Sequence, residues 1–310
     1  MKLVHCENSR LTDYVWQHQF IKANQIRLHY VTQGEGDLVI LLHGFPEFWY
    51  SWRYQIPALA KHFKVVVPDL RGYNDSDKPG HGYDLETLTT DIRSLIENLG
   101  YQQAHLVGHD WGGAIAWNFA QRFPHALQRL AILSAPHPQR FLPHLLNNLA
   151  LGNLEQIRRS WYLVAVQVPG LPEWWIQQNL RNFVRNVFRG LAVRKGEFTQ
   201  ETAQMYEAAL EKPGAIAAAL THYRQFFYQP FLSPLSWLRD TFSSPRLIAA
   251  PTLVLWGEED AVLTKDLAED MRHAVTGLFE LKFVPNCGHW IQQEVPQTVN
   301  RELLAFLCRN

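Results

Sequence analysis

The chain of 310 residues is long enough for one large domain or for a domain with an insertion. Its 29 lysines and arginines balance 29 aspartates and glutamates, so the composition shows no overall bias toward nucleic acid or an anionic membrane. The three cysteines, Cys6, Cys287 and Cys308, match neither a disulfide framework nor the spacing of a zinc site. No apolar run reaches the ~18 residues of a membrane helix, and residues 1–16 lack the apolar core of a signal peptide. We therefore expect a soluble, cytoplasmic protein with no metal site and no nucleic-acid partner.

Segments typical of strands and helices alternate over the first 138 residues. The alternation of Ile26, Leu28 and Tyr30 predicts an antiparallel strand. The continuous apolar run at 38–42 predicts a strand covered on both faces, and 63–67 and 127–133 are interpreted in the same way. Residues 103–107 are predicted to form a short buried strand. Helices are predicted over 85–99, where apolar residues keep a 3.6-residue period, and over 114–123. This alternation indicates the α/β class, with a mostly parallel, doubly wound sheet.

The alternation stops after Pro138 and resumes near residue 245. The segment between is helical and rich in aromatic residues, which predicts an α-helical lid inserted between two strands of the sheet. After it we predict a strand at 251–257, a last strand at 278–284 and a closing helix at 295–308. The chain is accordingly divided into a core of residues 1–138 and 245–310 and a helical cap of residues 139–244.

The most informative motif is Gly108-His109-Asp110-Trp111-Gly112-Gly113, which joins a predicted strand to a predicted helix. A strand, a tight turn around one exposed side chain and then a helix form the nucleophile elbow of α/β-hydrolases. The glycines allow the strained turn and the close approach of strand and helix. The chain contains no Gly-x-Ser-x-Gly, so Asp110 is the candidate nucleophile. The alternative is that Asp110 is only a turn former or a helix N-cap.

Two further candidates follow the last two predicted strands. Asp260 comes shortly after the strand at 251–257, and His289 follows the final strand. Ligands of open α/β sheets bind beyond the carboxyl ends of the strands, and the order nucleophile, acid, base is that of α/β-hydrolase triads. Glu258 and Glu259 are alternatives to Asp260 as the acid.

The segment His43-Gly44-Phe45-Pro46 follows the strand at 38–42, and a cis bond is predicted before its proline. It is either a simple tight turn or one side of an oxyanion hole, in which the backbone N–H groups of Phe45 and Trp111 would bind the developing charge. His109 and His43 are predicted to be structural hydrogen-bonding groups. The predicted pocket is apolar, with walls that include His43, Pro46, Trp49 and Trp290.

A carboxylate nucleophile restricts the classes of reaction that the site can catalyse. Asp is already ionised at neutral pH and needs no base, and it suits displacement at a saturated carbon. Attack on a carboxylic ester would only give a labile mixed anhydride, so ester and amide hydrolysis are disfavoured. We expect an alkyl ester on Asp110, which is then hydrolysed by water that His289 activates and Asp260 steadies, with the oxyanion on the two N–H groups.

Almost the whole chain resembles the epoxide hydrolases of the α/β-hydrolase fold, which are related to the haloalkane dehalogenases. The resemblance is carried by the elbow together with HGFPEFWYSWR at 43–53 and DLRGY at 69–73. It implies two lid tyrosines that donate to the epoxide oxygen. Tyr162 matches the first, five residues before a Gln that precedes a Pro-Gly turn, and Tyr223 matches the second, directly before an Arg. The alternative is that each is a packing aromatic of the lid, with Tyr206 or Tyr228 in its place.

The prediction is an enzyme that opens an apolar epoxide to a vicinal diol without metal or organic cofactor, as a monomer or homodimer. A haloalkane dehalogenase is the alternative with the same nucleophile, because Trp111 is shared with those relatives; many of them carry a polar residue where Phe45 stands. Fluoroacetate dehalogenases carry Arg in place of Trp111 and Trp in place of Tyr162, which argues against defluorination. A non-catalytic hydrolase-fold receptor for a small hydrophobic molecule is the third possibility.

Overall fold

The structure, a computed structural model, describes residues 16–232 and 246–309, and for residues 227–232 it describes the backbone alone. These residues include a sheet of eight strands in the order β1-β2-β4-β3-β5-β6-β7-β8. The strands are β1 Gln17–Ala23, β2 Ile26–Gln33, β3 Leu38–Leu42, β4 Lys64–Pro68, β5 Ala104–His109, β6 Leu127–Leu133, β7 Thr252–Gly257 and β8 Phe279–Val284. The pairs β1–β2 and β2–β4 are antiparallel, and the other neighbours are parallel.

Helices flank the sheet and make up most of the described residues between β6 and residue 232. The helices are α1 Ile56–Leu59, α2 Leu85–Asn98, α3 Trp111–Arg122, α4 Pro138–Ala150, α5 Glu155–Arg159, α6 Trp161–Ala165, α7 Leu171–Gln178, α8 Leu180–Arg185, α9 Gln200–Glu211, α10 Ala215–Leu232, α11 Lys265–Glu269, α12 Ile291–Glu294 and α13 Pro296–Leu307. Short 3-10 turns lie at Trp49–Trp52, Pro124–Ala126, Lys195–Glu197 and Asp270–Ala274, and a π-helical turn at Asn186–Gly190. No helix in these described residues is both long and apolar enough to cross a bilayer.

Two apolar cores lie on the two faces of the sheet. Successive residues of a strand point to opposite faces, so Ile40 and Leu42 of β3 enter one core while Val39 and Leu41 enter the other. Helices α2 and α3 cover the first face, and α1 and α13 cover the second. Each fully buried side chain of this size contributes about 1.5–3 kcal/mol relative to an exposed one. The doubly wound α/β sheet predicted from the apolar runs is thus confirmed.

Two differences from the sequence prediction have physical causes. The edge strand β1 is missing from the prediction because most of its side chains are exposed and it pairs with β2 alone, so it lacks an apolar pattern. Helix α3 begins at Trp111, three residues before the predicted start, because Gly112 and Gly113 belong to its first turn despite their low helix propensity. Tertiary packing against β3 decides the conformation there.

The helical insertion between β6 and β7 begins at Pro138 and is described as far as Leu232. We refer to residues 138–232 as the insertion. The predicted end of the cap near residue 244 lies outside the described residues, so the division of the chain at 139 and 244 remains a prediction.

Candidate active site

The turn between β5 and α3 holds Asp110 in a conformation that few non-glycine residues adopt. Its φ is +50° and its ψ is −120°, a region that costs about 1–3 kcal/mol. The backbone is fixed there by hydrogen bonds from Asp110 N to Leu133 O (3.3 Å) and from Ala114 N to Asp110 O (3.0 Å). The carboxylate makes no capping hydrogen bond to α3. The interpretation of Asp110 as a side-chain N-cap is therefore wrong, and its carboxylate is free for another role.

Two glycines let the elbow approach the end of β3. A Cβ on Gly112 would lie 2.2 Å from the carbonyl oxygen of Leu42, and a Cβ on Gly44 would lie 2.5 Å from the Cβ of Asp110. Since real Cβ atoms do not come so close, both positions require glycine. This approach brings the N–H of Phe45 within 2.9 Å of Asp110 Oδ1, to which it donates a hydrogen bond.

A second N–H lies at the start of α3. Trp111 is the first residue of that helix, and first-turn N–H groups have no acceptor within their own helix. The positive end of the helix dipole also favours negative charge at this point. The N–H of Phe45 thus contacts the Asp110 carboxylate, Trp111 starts the adjacent helix, and the cis peptide bond predicted before Pro46 is present.

His289 lies between two carboxylates. Its Nδ1 is 2.9 Å from Asp260 Oδ2 and its Nε2 is 3.7 Å from Asp110 Oδ2. A carboxylate only accepts, so Nδ1 carries the proton and Nε2 faces Asp110. Asp260 is oriented in turn by the N–H groups of Val262 and Leu263, which donate to its Oδ1 at 2.8 and 2.9 Å.

The competing acids after β7 are placed differently. Glu258 and Glu259 are exposed, whereas Asp260 is buried against His289. Of the three carboxylates, Asp260 is the one that the structure brings to the imidazole.

The charges of the site shift the pKa of both reacting groups. Burial by itself would lower the pKa of His289, but the negative charges of Asp260 and Asp110 outweigh it and raise this pKa to about 10. Burial would raise the pKa of Asp110, but the positive charge of His289 and the N–H of Phe45 hold it below its ordinary value. At neutral pH the resting site thus contains an ionised Asp110 beside a protonated imidazole.

Glu47 links the segment after β3, the end of β5 and helix α12, and the sequence analysis assigned it no role. Its buried carboxylate accepts hydrogen bonds from Gly44 N, from His109 Nδ1 and from the side chains of Gln292 and Gln293, all at 2.8–2.9 Å. Nε2 of His109 lies 2.9 Å from the carbonyl oxygen of His289. The available signal was a carboxylate within the apolar segment at 43–53, where burial requires partners.

A cavity opens above Asp110, between the core and the insertion. It is lined by Asp110, Trp111, Ala114, Pro136, Pro138, Phe141, Tyr162, Leu163, Tyr223, Phe226 and Leu263. The polar side-chain groups in this lining are the carboxylate of Asp110, the two phenols and the indole N–H of Trp111, and the remainder is apolar. Such a cavity suits an apolar ligand with one polar reacting group.

The two predicted lid tyrosines meet in this cavity. Tyr162 comes from α6 and Tyr223 from α10, with ring centroids 5.9 Å apart and ring planes nearly perpendicular. Tyr223 also packs edge-on against Trp111 at 5.0 Å and Phe45 at 5.2 Å. Burial, followed by the negative charge of Asp110, raises the pKa of both phenols well above the ordinary value. They therefore remain protonated donors.

Tyr206, the first of the two alternative tyrosines, does not line the cavity. Tyr206 stacks on Phe188 at a centroid distance of 4.1 Å and donates its hydroxyl to Gln293 Oε1 at 2.8 Å. The side chain of Tyr228 lies outside the described residues.

The four residues predicted as pocket walls do not line this cavity. His43 donates to Gly44 O and accepts from Leu70 N, which is a structural role. Trp290 donates its indole N–H to Val187 O at 3.3 Å, Trp49 packs against Trp16 at 5.5 Å, and Pro46 is buried. Aromatic bulk near the motif indicated an apolar environment but not which side of the loop each ring would occupy.

Among the described residues, one histidine–carboxylate cluster has the spacing of a metal site, but its contacts favour an ion-pair network over a metal site. His29, Asp69 and Asp75 have ligand atoms within 4.8 Å of one another. However, His29 Nδ1 already hydrogen-bonds Asp69 Oδ2 at 2.6 Å, and Asp75 forms an ion pair with Lys212. These groups satisfy one another and lie outside the cavity at Asp110.

Residues 37–296 match the family model described as the alpha/beta hydrolase fold. The chain is 37% identical to Epoxide hydrolase 4 of Mus musculus, over 93% of this chain and 78% of the relative. It is 36% identical to the AB hydrolase superfamily protein YfhM of Bacillus subtilis strain 168, over 93% and 97%. The crystal structure of a Bacillus megaterium epoxide hydrolase in complex with an inhibitor superposes with a TM-score of 0.81 at 31% identity, over 94% of this chain and all of that one.

The elbow, the sheet and the family match define an α/β-hydrolase. Its similarity to relatives over most of both chains places this protein among the epoxide hydrolases of that family.

Proposed function

We propose that this protein hydrolyses an apolar epoxide to a vicinal diol through an alkyl ester on Asp110. The observation that carries the proposal is one cavity in which a carboxylate backed by His289 and Asp260 faces two protonated phenols. Asp110, His289 and Asp260 act as the catalytic triad, Tyr162 and Tyr223 as proton donors, and residues 139–244 as the cap that closes over them.

In the first step Asp110 Oδ2 attacks a ring carbon. Oδ1 is held by the N–H of Phe45, so Oδ2 is the oxygen left to form the new bond. The carbon–oxygen bond of the ring breaks as the ester bond forms, and Tyr162 and Tyr223 hydrogen-bond the departing oxygen, which takes a proton from one of them. An alkoxide is a poor leaving group in an apolar cavity, and these two donors are what make its departure feasible.

Alkylation itself prepares the second step. The ester has no charge, so one of the two carboxylates that raise the pKa of His289 is lost and this pKa falls. The imidazolium then gives up its proton, which restores the tyrosine hydroxyl, and the neutral Nε2 becomes a base for water. Water attacks the Asp110 carbonyl carbon while Nε2 of His289 takes one of its protons, and the oxyanion forms on Oδ1 at the N–H groups of Phe45 and Trp111. The bond from the carbonyl carbon to Oδ2 then breaks, and Oδ2 leaves in the diol with the second proton of that water, which restores an ionised Asp110 beside a protonated His289.

The chemistry needs no metal or organic cofactor, because the nucleophile is already ionised and the phenols supply the proton. A halide leaves as an anion and needs no protonation, so the two phenols favour an epoxide over a haloalkane. The test is a panel of apolar epoxides and short haloalkanes scored for diol and for halide. Halide release without diol would replace this proposal with a dehalogenase, and no turnover of either class would favour the receptor.

Loss of the phenol donors is expected to slow ring opening strongly. Replacing either Tyr162 or Tyr223 by phenylalanine should lower the alkylation rate by ~10²-fold, and replacing both by at least ~10³-fold, since donors to a developing oxyanion are worth about this much. Tyr206→Phe is the matched control, because its hydroxyl bonds Gln293 and does not line the cavity. Rapid-mixing fluorescence measures the alkylation rate. Equal effects at Tyr206 and Tyr162 would contradict the role of the lid phenols.

The two steps are expected to respond differently to pH. Hydrolysis of the ester needs neutral His289, so its rate should fall as pH drops below the pKa that this imidazole has in the alkyl-enzyme, which is lower than the resting value of about 10. Alkylation needs ionised Asp110, whose pKa is held below its ordinary value, and should stay constant across the same range. Single-turnover rates from about pH 5 to about pH 9 span the ordinary pKa of histidine. A parallel fall of both rates on acidification would contradict this assignment.

A cytoplasmic location is part of the proposal. Cys308 is exposed and Cys287 buried, and both are free thiols. An exposed free thiol is typical of proteins in a reducing compartment.

A further inference from the structure

The exposed apolar side chains are concentrated on one part of the insertion. Of fourteen large apolar residues that are exposed among the described residues, ten lie between residues 146 and 175. Eight of these ten are at least half exposed, and six of the eight lie in α6, in α7 or in the loop between them: Trp161, Val164, Val168, Leu171, Trp174 and Trp175. We call these six residues the outer apolar face. Soluble monomers rarely expose so many large apolar groups in a short segment, and such patches mark interaction sites.

Positive charge accompanies this face, although the chain as a whole is neutral. Residues 146–195 contain seven basic and two acidic side chains, a net charge of +5, against 29 of each in the whole chain. Arg158, Arg185 and Arg189 are exposed and have no ion-pair partner within residues 16–232 and 246–309 as described. Although positive and negative charges are equal in number over the whole chain, the segment that contains the outer apolar face is basic.

We infer that the outer apolar face docks on the surface of an anionic phospholipid bilayer. Tryptophan side chains partition to the boundary between headgroups and acyl chains, and a cationic, apolar surface is the composition that binds anionic lipid. A second copy of the chain fits less well, because a symmetric contact brings each surface against itself and would place the positive segments together. Charge complementarity thus selects the lipid surface.

Docking on this face would place the cavity beside the bilayer. In α6, Trp161 and Val164 are exposed while Tyr162 and Leu163 line the cavity, so one short helix separates the apolar face from the site. An apolar epoxide dissolved in lipid would then reach Asp110 without crossing bulk water. This last step rests on the proposed function, whereas docking itself does not.

The test is cosedimentation of the full chain with vesicles of phosphatidylcholine alone or mixed with phosphatidylglycerol. The protein should sediment with the anionic vesicles, at least ~10-fold more weakly with the neutral ones, and less as salt increases. The Trp174→Ala/Trp175→Ala and Arg185→Gln/Arg189→Gln pairs should each reduce binding by about tenfold or more. The control is Phe20→Ala/Leu278→Ala, which removes two apolar side chains of equal exposure outside the insertion.

Asp110→Ala should bind vesicles as the unmodified protein does, so docking is measured apart from catalysis. The arginine pair is exposed, so it tests the inference even if the tryptophan pair fails to fold. Absence of binding to anionic vesicles, or an equal loss in the control pair, would overturn the inference. So would a dimer in solution that the tryptophan substitutions dissociate while vesicles bind neither form, because the face would then be a self-association interface.

Discussion

Asp110→Ala is expected to abolish epoxide opening, with kcat/KM lowered by at least ~10⁴-fold, as for loss of a nucleophile in other hydrolases. The variant retains the phenols and His289 but has no atom that can form the ester. Steady-state diol production is the measurement, with circular dichroism to establish folding. The strained φ of +50° at Asp110 is held by backbone hydrogen bonds, which the substitution does not remove. We therefore expect the Asp110→Ala variant to fold.

The surface substitution Asp37→Ala is the matched control, because this carboxylate is exposed and far in the fold from the elbow, at the start of β3. It should leave turnover unchanged. Retention of more than about a tenth of the activity in Asp110→Ala would be incompatible with covalent catalysis by this residue.

His289→Gln is expected to stop the reaction after its first half. Alkylation does not use the imidazole as a base, whereas hydrolysis does, so the variant should accumulate alkyl-enzyme and turn over at least ~10³-fold more slowly. Intact-protein mass spectrometry should show an increase equal to the whole mass of the epoxide. With a haloalkane, the mass increase would equal the mass of the substrate minus the mass of the hydrogen halide. The same spectrum therefore distinguishes the two leaving groups.

The double variant Asp110→Ala/His289→Gln is the control for this trapping experiment and should carry no adduct. A His289→Gln protein that consumes epoxide without any adduct would argue for direct attack by water.

Much of the fold can be predicted from the sequence because parallel strands buried on both faces are continuous apolar runs. The strands β3, β4 and β7 follow that signal, whereas β8 contains Glu280 and Lys282 and is only partly buried. The edge strand β1 has no such pattern, because residues such as Gln17, His18 and Gln19 are exposed to solvent and are not packed in a core. What the periodicity could not provide was the conformation at the start of α3, where packing outweighs the glycine propensities.

The site residues that follow strand ends could be predicted, because their order along the chain is the order nucleophile, acid, base of α/β-hydrolase triads. The elbow, Asp260 and His289 follow β5, β7 and β8, and parallel topology brings these strand ends to one edge of the sheet. The pocket walls depend on how the insertion packs, which no local pattern encodes. Phe141, Leu163 and Phe226 line the cavity, whereas Trp49 and Trp290 are turned into the core behind it. The role of Glu47 was not predicted because its four partners come from the segment after β3, the end of β5 and helix α12, which are far apart in the sequence.

The central claim is that one oxygen of Asp110 becomes the new oxygen of the diol. A single turnover in heavy-oxygen water, with enzyme in excess over epoxide, tests this claim most directly. We expect first-turnover diol without label, and label in the Asp110 carboxylate when a peptide digest is analysed by mass spectrometry. Labelled diol from that first turnover, with an unlabelled Asp110, would contradict the account.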